Sequence, residues 1–536
     1  MEEEKREKLL DWAGIACGLI VVLGLVLSYV LYSSGSRAGS RTRNVPSTAQ
    51  DLTGTGEGRN GPIGVEIVAD ENGIYFIKVT DHDETRDIGT LAINKLPRSI
   101  YKAQTLNIDA VSGATFTSKG IRQAVSDALE SGGIDPTIFR GGDLKLNRIA
   151  TGLEAGTQSG IKFIKASDYE STYPEIYASY MKNSENDEVI EYTEADPFIK
   201  NLFAGYGFAK SYGSARGHTY VIEDITSTGR PHKLANCFTC KVPQMTEAVL
   251  SMGESAYKMS FEDMQADVLA SGNEVLSCFN CHANEPGTMV VTHSYITKAL
   301  GDDLKRVDGS VLACAQCHID YYMAPGTGVV TPPWTSLESA NPDSMLEYFN
   351  KLMVEDENGN SLVYADYVNP DNGVRQVMVN HPEFETFAGE GSVHRDMFTC
   401  ADCHMGMATA ADGTTYKSHY LISPLQNQEL IDKTCSKCHS DLAADVKKIR
   451  DETTRRETEI GQDLEALLAD ITECVNGGKY TDEELDAIRM SYRNAQWYWN
   501  FTYVENSEGA HNSKLTYECL DKAEAGIEAT RALMRK

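Results

Sequence analysis

Hydrophobic positions fall into four regimes along the chain. Residues 12–32 (WAGIACGLIVVLGLVLSYVLY) form an uninterrupted apolar run. Twenty-one helical residues reach across a bilayer core, so the run predicts a membrane anchor. It is longer than a signal-peptide core and lacks a small-x-small end, which disfavours a cleaved leader. Residues 33–60 are rich in Ser, Gly, Thr and Arg and read as a linker. Between 61 and 135 the pattern is alternating, then helical. GVEIVAD and IYFIKVT flank ENG as a hairpin. A helix follows from about Thr117 to Ser131, with Ile121, Val125 and Leu129 on one face and Gly132-Gly133 as its stop. Residues 136–162 are a second connection. From 163 to 536 short helices and loops surround cysteine pairs, with cofactors expected in place of a large aliphatic core. Long helices near 440–475 and 481–500 close the chain, the second started by a Thr481/Glu484 capping box. The expected fold is therefore multidomain: a short N-terminus (1–11), a transmembrane helix (12–32), a small α+β domain (61–135) and a mainly α domain with long C-terminal helices (163–536).

The formal charge of −29 on 536 residues excludes a nucleic-acid partner, which would need a basic surface. It also repels anions at long range. An anionic substrate would therefore need a local basic residue.

Cysteine changes the picture most. Ten of the thirteen cysteines form five C-x-x-C pairs. Four pairs precede histidine: Cys278-Cys281-His282, Cys314-Cys317-His318, Cys400-Cys403-His404 and Cys435-Cys438-His439. C-x-x-C-H attaches haem c by two thioethers and supplies a proximal iron ligand. The fifth pair, Cys237-Phe-Thr-Cys240-Lys241, carries lysine there, which makes Lys241 the proximal ligand of a fifth haem. Of the twelve histidines, eight remain to supply distal ligands. Bis-histidine haems only pass electrons, whereas the lysine haem keeps a position for substrate. Haem c is attached outside the cytoplasm, so the N-terminus stays inside and residues beyond about 33 lie outside the cell membrane. Flanking charge is silent on orientation: Lys5, Arg6 and Lys8 precede the span, and Arg37, Arg41 and Arg43 follow it. Of the other cysteines, Cys17 lies inside the apolar run, and Cys474 and Cys519 are either a disulfide or two buried thiols.

The segments YPEIYASYMKN, DPFIKNLFAGYGFAKSY, RGHTY, CFTCK, CAQCHIDYYM, HPEFET, CADCHM, YKSHYLISP and AQWYW, in that order, resemble the pentahaem ammonia-forming cytochrome c nitrite reductases. The resemblance covers residues 163–536. It implies distal ligands at His218, His394, His419 and His511. It implies active-site residues at Arg230 (with Arg216 as the fallback), Tyr321 and His381, nitrite as substrate, and a homodimer built on the long helices. The family's calcium site maps to Asp320, Tyr321 and Asn380, with Met378 in place of its lysine, so calcium competes with a calcium-free variant. Asp109-Ala-Val-Ser112-Gly113-Ala114-Thr115 resembles the motif of covalent FMN domains in respiratory quinone reductases. That likeness implies FMN joined through its phosphate to Thr115, at a helix N-terminus suited to phosphate. It also points to a quinone-linked or flavoprotein electron donor. The competing readings are a non-enzymatic electron-transfer module and a reductase of hydroxylamine or sulfite.

Overall fold

The computed structural model describes residues 45–535 except 86–88, 107, 109–110, 112–113, 140–161, 215, 230–233, 273, 285, 287–288, 358–360, 364 and 396–397. The apolar run at 12–32 lies outside the described residues. Among the described residues no helix is long and apolar enough to cross a membrane. The chain divides into two units, 1–144 and 145–536.

In the first unit an antiparallel sheet β1-β2-β3 (Gln50–Glu57, Pro62–Asp70, Gly73–Asp81) carries two helices, α1 (Gly89–Ala103) and α2 (Thr115–Ser131). The hairpin β2–β3 turns at Glu71-Asn72, where Asp70 Oδ1 accepts from the Asn72 and Gly73 N–H groups. Ile121, Val125 and Leu129 of α2 are fully buried against Ile63, Val65 and Ile67 of β2.

Strand β1 corrects the sequence reading, which placed residues 50–57 in a linker. Its sequence QDLTGTGE looks flexible because alternate positions are glycine. A Cβ on Gly54 would overlap the backbone of Ala124 and Ala128, and one on Gly56 that of Gly120 and Ala124. The glycines therefore let the strand lie directly on α2. Two α2 side chains complete the exposed strand edge. Thr55 N–H donates to Asp127 (2.8 Å). Glu57 N–H donates to Gln123 (3.2 Å). The expected connection at 136–162 also begins late, because Pro136–Phe139 forms a 3₁₀ turn whose Phe139 is buried in this core.

The second unit is mainly helical. The segments that matter below are α3 (Pro174–Met181), α4 (Cys278–His282), α5 (Gly309–Ala315), α6 (Cys400–His404) and three long helices, α7 (Leu442–Gly477), α8 (Asp482–Tyr503) and α9 (Ser513–Leu533). Short two-stranded ribbons link them. Helix α8 begins at the expected capping box. Thr481 Oγ1 accepts from Glu484 N–H (3.3 Å), and Glu484 accepts from Thr481 N–H (3.0 Å).

The large core here departs from expectation. Trp334, Trp497, Trp499, Tyr492, Phe349 and Phe501 are all fully buried, and they join dozens of aliphatic side chains in one cluster. Within it Arg493 of α8 and Asp366 make a fully buried two-point ion pair (2.8 and 3.0 Å), and Asn350 accepts from the same guanidinium. Trp497 and Trp499 turn their indole N–H groups to the Pro342 and Glu457 carbonyls. Helix α8 is thus polar-locked as well as packed. Cys474 and Cys519 are both free thiols.

Candidate functional site

The Cys-x-x-Cys-His segments fold as single turns. In α4 and α6 the cysteines at i and i+3 and the histidine at i+4 share one face. Such a short helix needs fixing at its start. Asn280 accepts from the Ser277 N–H (3.0 Å), and Asp402 accepts from the Thr399 N–H and hydroxyl (both 2.9 Å).

Each of the four motif histidines faces a second imidazole. Ring centroids stand 6.0 Å apart for His318 and His218, 6.3 Å for His282 and His419, 6.0 Å for His404 and His511, and 6.2 Å for His439 and His394. Two metal–nitrogen bonds of about 2 Å, plus the ring radii, separate opposed centroids by about 6 Å. These pairs therefore fit one iron each. They are the four histidines and four partners that the sequence singled out, brought together from distant parts of the chain.

The ring orientations agree with iron ligation. His404 Nδ1 faces the Ile422 carbonyl (3.0 Å), His419 Nδ1 the Lys417 carbonyl (3.1 Å), His439 Nδ1 the Asp445 carboxylate (2.8 Å) and His511 Nδ1 the Glu505 carboxylate (2.7 Å). A ring anchored at Nδ1 offers Nε2 to metal. The loops are anchored too. Asn183, just after α3, donates to the His419 carbonyl (2.8 Å) and accepts from Leu421 N–H (2.9 Å), and Ser179 of α3 accepts from His419 N–H (2.8 Å). Gly217 passes so close to the Asn183 carbonyl that a Cβ would collide with it.

The cysteines of the five motifs form a connected series. Cys240 of the lysine motif lies beside Cys317 of the third, and Cys314 lies beside Cys400 of the fourth. Cys281 lies within electrostatic reach of Cys314, and Cys403 of Cys435. The third site thus adjoins the first, second and fourth, and the fourth adjoins the fifth.

Lys241 ends the turn that begins at Ala235, its N–H bonded to the Phe238 carbonyl (3.0 Å). Cys240 Sγ also contacts the Tyr295 hydroxyl (3.4 Å), and the buried His293 stacks on Tyr295 (5.4 Å, 11°). Four residues past Cys317, Tyr321 adjoins His381 through a shared polar cluster. Asn380, next to His381, donates its side-chain amide to the Tyr321 carbonyl (2.8 Å) and its N–H to Asp320 (2.8 Å). His318 has a second imidazole neighbour, His381, with ring centroids 6.2 Å apart. Buried Glu383 distinguishes this pair from the other four. It lies 3.8 Å from His318 Nδ1 and 3.9 Å from His381 Nδ1, at ion-pair range. Because both Nδ1 atoms face one carboxylate, His318 and His381 are neighbours across Glu383, and His318 keeps Nε2 for the side of His218. Burial works against ionising Glu383, but the two imidazoles win and hold its carboxyl well below the usual range.

Asp320 is completely buried, and its Oδ2 has no hydrogen-bond partner. Burial pushes it up to about 7, against the Asn380 and Tyr321 N–H groups that lower it. Its neighbour Glu385, also buried, is raised by burial and by Asp320. An orphaned carboxylate oxygen beside the Tyr321 carbonyl and the Asn380 amide is a donor set that suits a hard cation such as Ca²⁺. Met378 is buried and apolar.

Arg230 lies outside the described residues. The fallback, Arg216, is committed elsewhere: it grips Asp224 through Nε and Nη2 (3.0 and 2.7 Å), pairs with Glu223 and covers the Tyr220 ring.

In the first unit Thr115 occupies the first position of α2, with Ala114 as N-cap. The free N–H groups of a helix start suit a phosphate. Asp109, Ser112 and Gly113 lie outside the described residues. Two residues beyond the motif hold this turn. Ser118 donates to the Ala114 carbonyl (2.8 Å) and accepts from Val111 N–H (3.0 Å). Thr117 hydrogen-bonds the buried Glu84, which also accepts from Asn60 N–H (3.0 Å). Neither Glu84 nor the second-unit carboxylates Glu383 and Glu505 stood out in a chain this acidic. The offset of two from His381 to Glu383 is the one local signal.

The family model described as cytochrome c552 matches residues 165–536, and that described as FMN-binding domain matches residues 58–130. Among curated proteins the chain is similar to a cytochrome c nitrite reductase subunit of Nitratidesulfovibrio vulgaris. The two are 29% identical over 410 residues, covering 67% of this chain and 76% of the relative. It is also similar to cytochrome c-552 of Aliarcobacter butzleri, 28% identical over 386 residues, covering 67% and 74%. Among solved structures it resembles the catalytic subunit of cytochrome c nitrite reductase from Desulfovibrio desulfuricans, a protein described with two calcium sites. The TM-score is 0.60 at 25% identity, covering 69% of this chain and 85% of that one.

Proposed function

The chain belongs to the cytochrome c552 family and carries an FMN-binding domain, and from that premise we propose that it reduces nitrite to ammonium with six electrons and eight protons. The observation that supports this best is the division of labour among the five motifs. Four histidine motifs each face a second imidazole at 6.0–6.3 Å, while Cys240 of the lysine motif lies beside Cys317, four residues before Tyr321, and the adjoining His318 also faces His381 across Glu383. Haem c held at Cys237–Lys241 and at the four histidine pairs would supply electron transfer and one substrate-binding iron.

The chain's own residues do the rest. His381, whose Nδ1 lies 3.9 Å from Glu383, would pass a proton to the substrate oxygens. Tyr321 is a second proton donor at the same cluster. Arg230 supplies the positive charge that draws nitrite against the protein's field. Asp320, the Tyr321 carbonyl and Asn380 would hold calcium, which would neutralise the buried carboxyls and stiffen the Tyr321–His381 link. Thr115 would hold FMN, which would supply an entry point for electrons from a quinone-linked or flavoprotein donor. The N-terminal run anchors the chain in the cell membrane, with both units on the extracytoplasmic side and two copies paired through the long helices.

The test is direct. Purified protein supplied with reduced dye should consume nitrite and release ammonium one for one; absence of nitrite consumption ends the proposal. A Thr115→Ala protein should keep the dye-driven rate and lose the rate with the native donor. Full activity with that donor would remove FMN from the route. Low-spin spectra from all five haems would favour the electron-transfer module instead.

A further inference from the structure

The imidazoles of the second unit are backed by two kinds of acceptor. His404 and His419 turn Nδ1 to backbone carbonyls. His511, His439 and His318 turn Nδ1 to carboxylates, and the three carboxylates differ in setting. Asp445, behind His439, has a side chain 54% exposed. Water and salt therefore screen its charge. Glu383 stands 3.8 Å from His318 and is shared with His381 and with the Asn506 amide. Glu505 is 3% exposed in its side chain and sits 2.7 Å from His511 Nδ1.

Glu505 is also held in place. Ser507 donates its N–H to Oε1 (3.2 Å) and its hydroxyl to Oε2 (2.5 Å), and the same hydroxyl accepts from His511 N–H (2.9 Å). The sequence E-N-S-x-x-x-H thus closes into a ring of three residues in the loop between α8 and α9. A buried full charge on Nδ1–H makes an imidazole a stronger donor to metal than a carbonyl does. A stronger donor favours the oxidised iron.

We propose that Glu505 is a positioning residue which, through His511, gives the haem held by His404 and His511 the lowest reduction potential of the four bis-histidine haems. This rests on the haem-ligand reading above. Its consequence follows from the order of attachment sites. The fourth site lies between the third and the fifth, so a low potential there is a barrier. Electrons on the third site and its lysine-motif neighbour are kept from draining toward the fifth.

The experiment is potentiometric titration of the holoprotein, followed by optical and EPR spectra, for wild type, Glu505→Gln and Ser507→Ala. In Glu505→Gln one low-spin haem should become about tenfold easier to reduce, about 59 mV for one electron, with the other haems unmoved. Ser507→Ala, which leaves the charge but frees it, should move the same haem in the same direction by less. Unchanged midpoints in a fully haem-loaded Glu505→Gln protein would overturn the proposal. So would an equal shift of all haems, which marks a general structural change. If Glu505→Gln fails to load haem, the Ser507→Ala titration decides alone, and an unmoved midpoint there overturns the proposal. Nitrite turnover with reduced dye is measured separately: wild type lacking turnover but showing the displaced midpoint would sink the proposed activity and leave this inference standing.

Discussion

At the scale of residues, the chemistry depends on a few groups whose protonation is set by burial. Tyr321 lies between Asp320, whose carboxyl is fully buried, and a strand pairing that starts at Tyr322. In the proposed reaction its hydroxyl would be the proton donor, while its carbonyl accepts from Asn380. Tyr321→Phe should keep five haems and the Asn380 contact while lowering kcat by about 10²-fold, the usual size of one general-acid contribution. An unchanged kcat would remove the phenol from the reaction. Asp320 carries a second expectation. A buried oxygen without a partner is costly unless a proton or cation meets it. Elemental analysis should find calcium in the dialysed wild type and one equivalent less in Asp320→Asn. Equal calcium in both would dismiss the site.

At the scale of elements, the sequence announced what is local and hid what is close only in space. The Cys-x-x-Cys-His turns and the Thr481 cap are contained within a few consecutive residues, so they could be read directly. Which distal histidine meets which motif depends on contacts such as Asn183 to His419, across 236 positions, and no local pattern encodes them. Strand β1 was missed for another reason: its glycines serve α2, and a strand without side-chain alternation looks like a tether. Helix α7 shows a third kind of hidden feature. Glu457 sits on its inner face, buried, with Oε1 unpartnered, and burial pushes its carboxyl up to about 8, against a hydrogen bond from Thr502. An ordinary unfolded glutamate titrates near about 4.3. Between those values the folded chain holds a proton that the unfolded chain has released, so stability falls as pH rises through the window. Each pKa unit is worth about 1.4 kcal/mol, and the total loss comes to a few kcal/mol. Glu457→Gln should remove that slope. Calorimetric Tm for wild type should decline from pH 5 to pH 8 more steeply than for the variant, and parallel profiles would show that Glu457 is ionised throughout.

At the scale of the whole molecule, net charge and substrate charge conflict. A formal −29 surrounds a site proposed to take an anion and, through Arg230 and His381, to hold it. The two effects have different ranges. The distributed carboxylates act over the Debye length, about 30 Å at 0.01 M and about 8 Å at 0.15 M ionic strength. A cation in contact with substrate acts at hydrogen-bond distance and is screened far less. Salt should therefore weaken the long-range repulsion more than the local attraction, and kcat/KM for nitrite should rise as ionic strength increases over that range. Hydroxylamine, neutral at pH 7, feels neither field, and its kcat/KM should stay flat over the same range. That contrast separates steering from any effect of salt on the fold, since a change in folding would move both substrates together. A fall in kcat/KM for nitrite would mean that a local positive field governs capture, and would place the substrate entrance on a basic surface formed by residues that include Arg230.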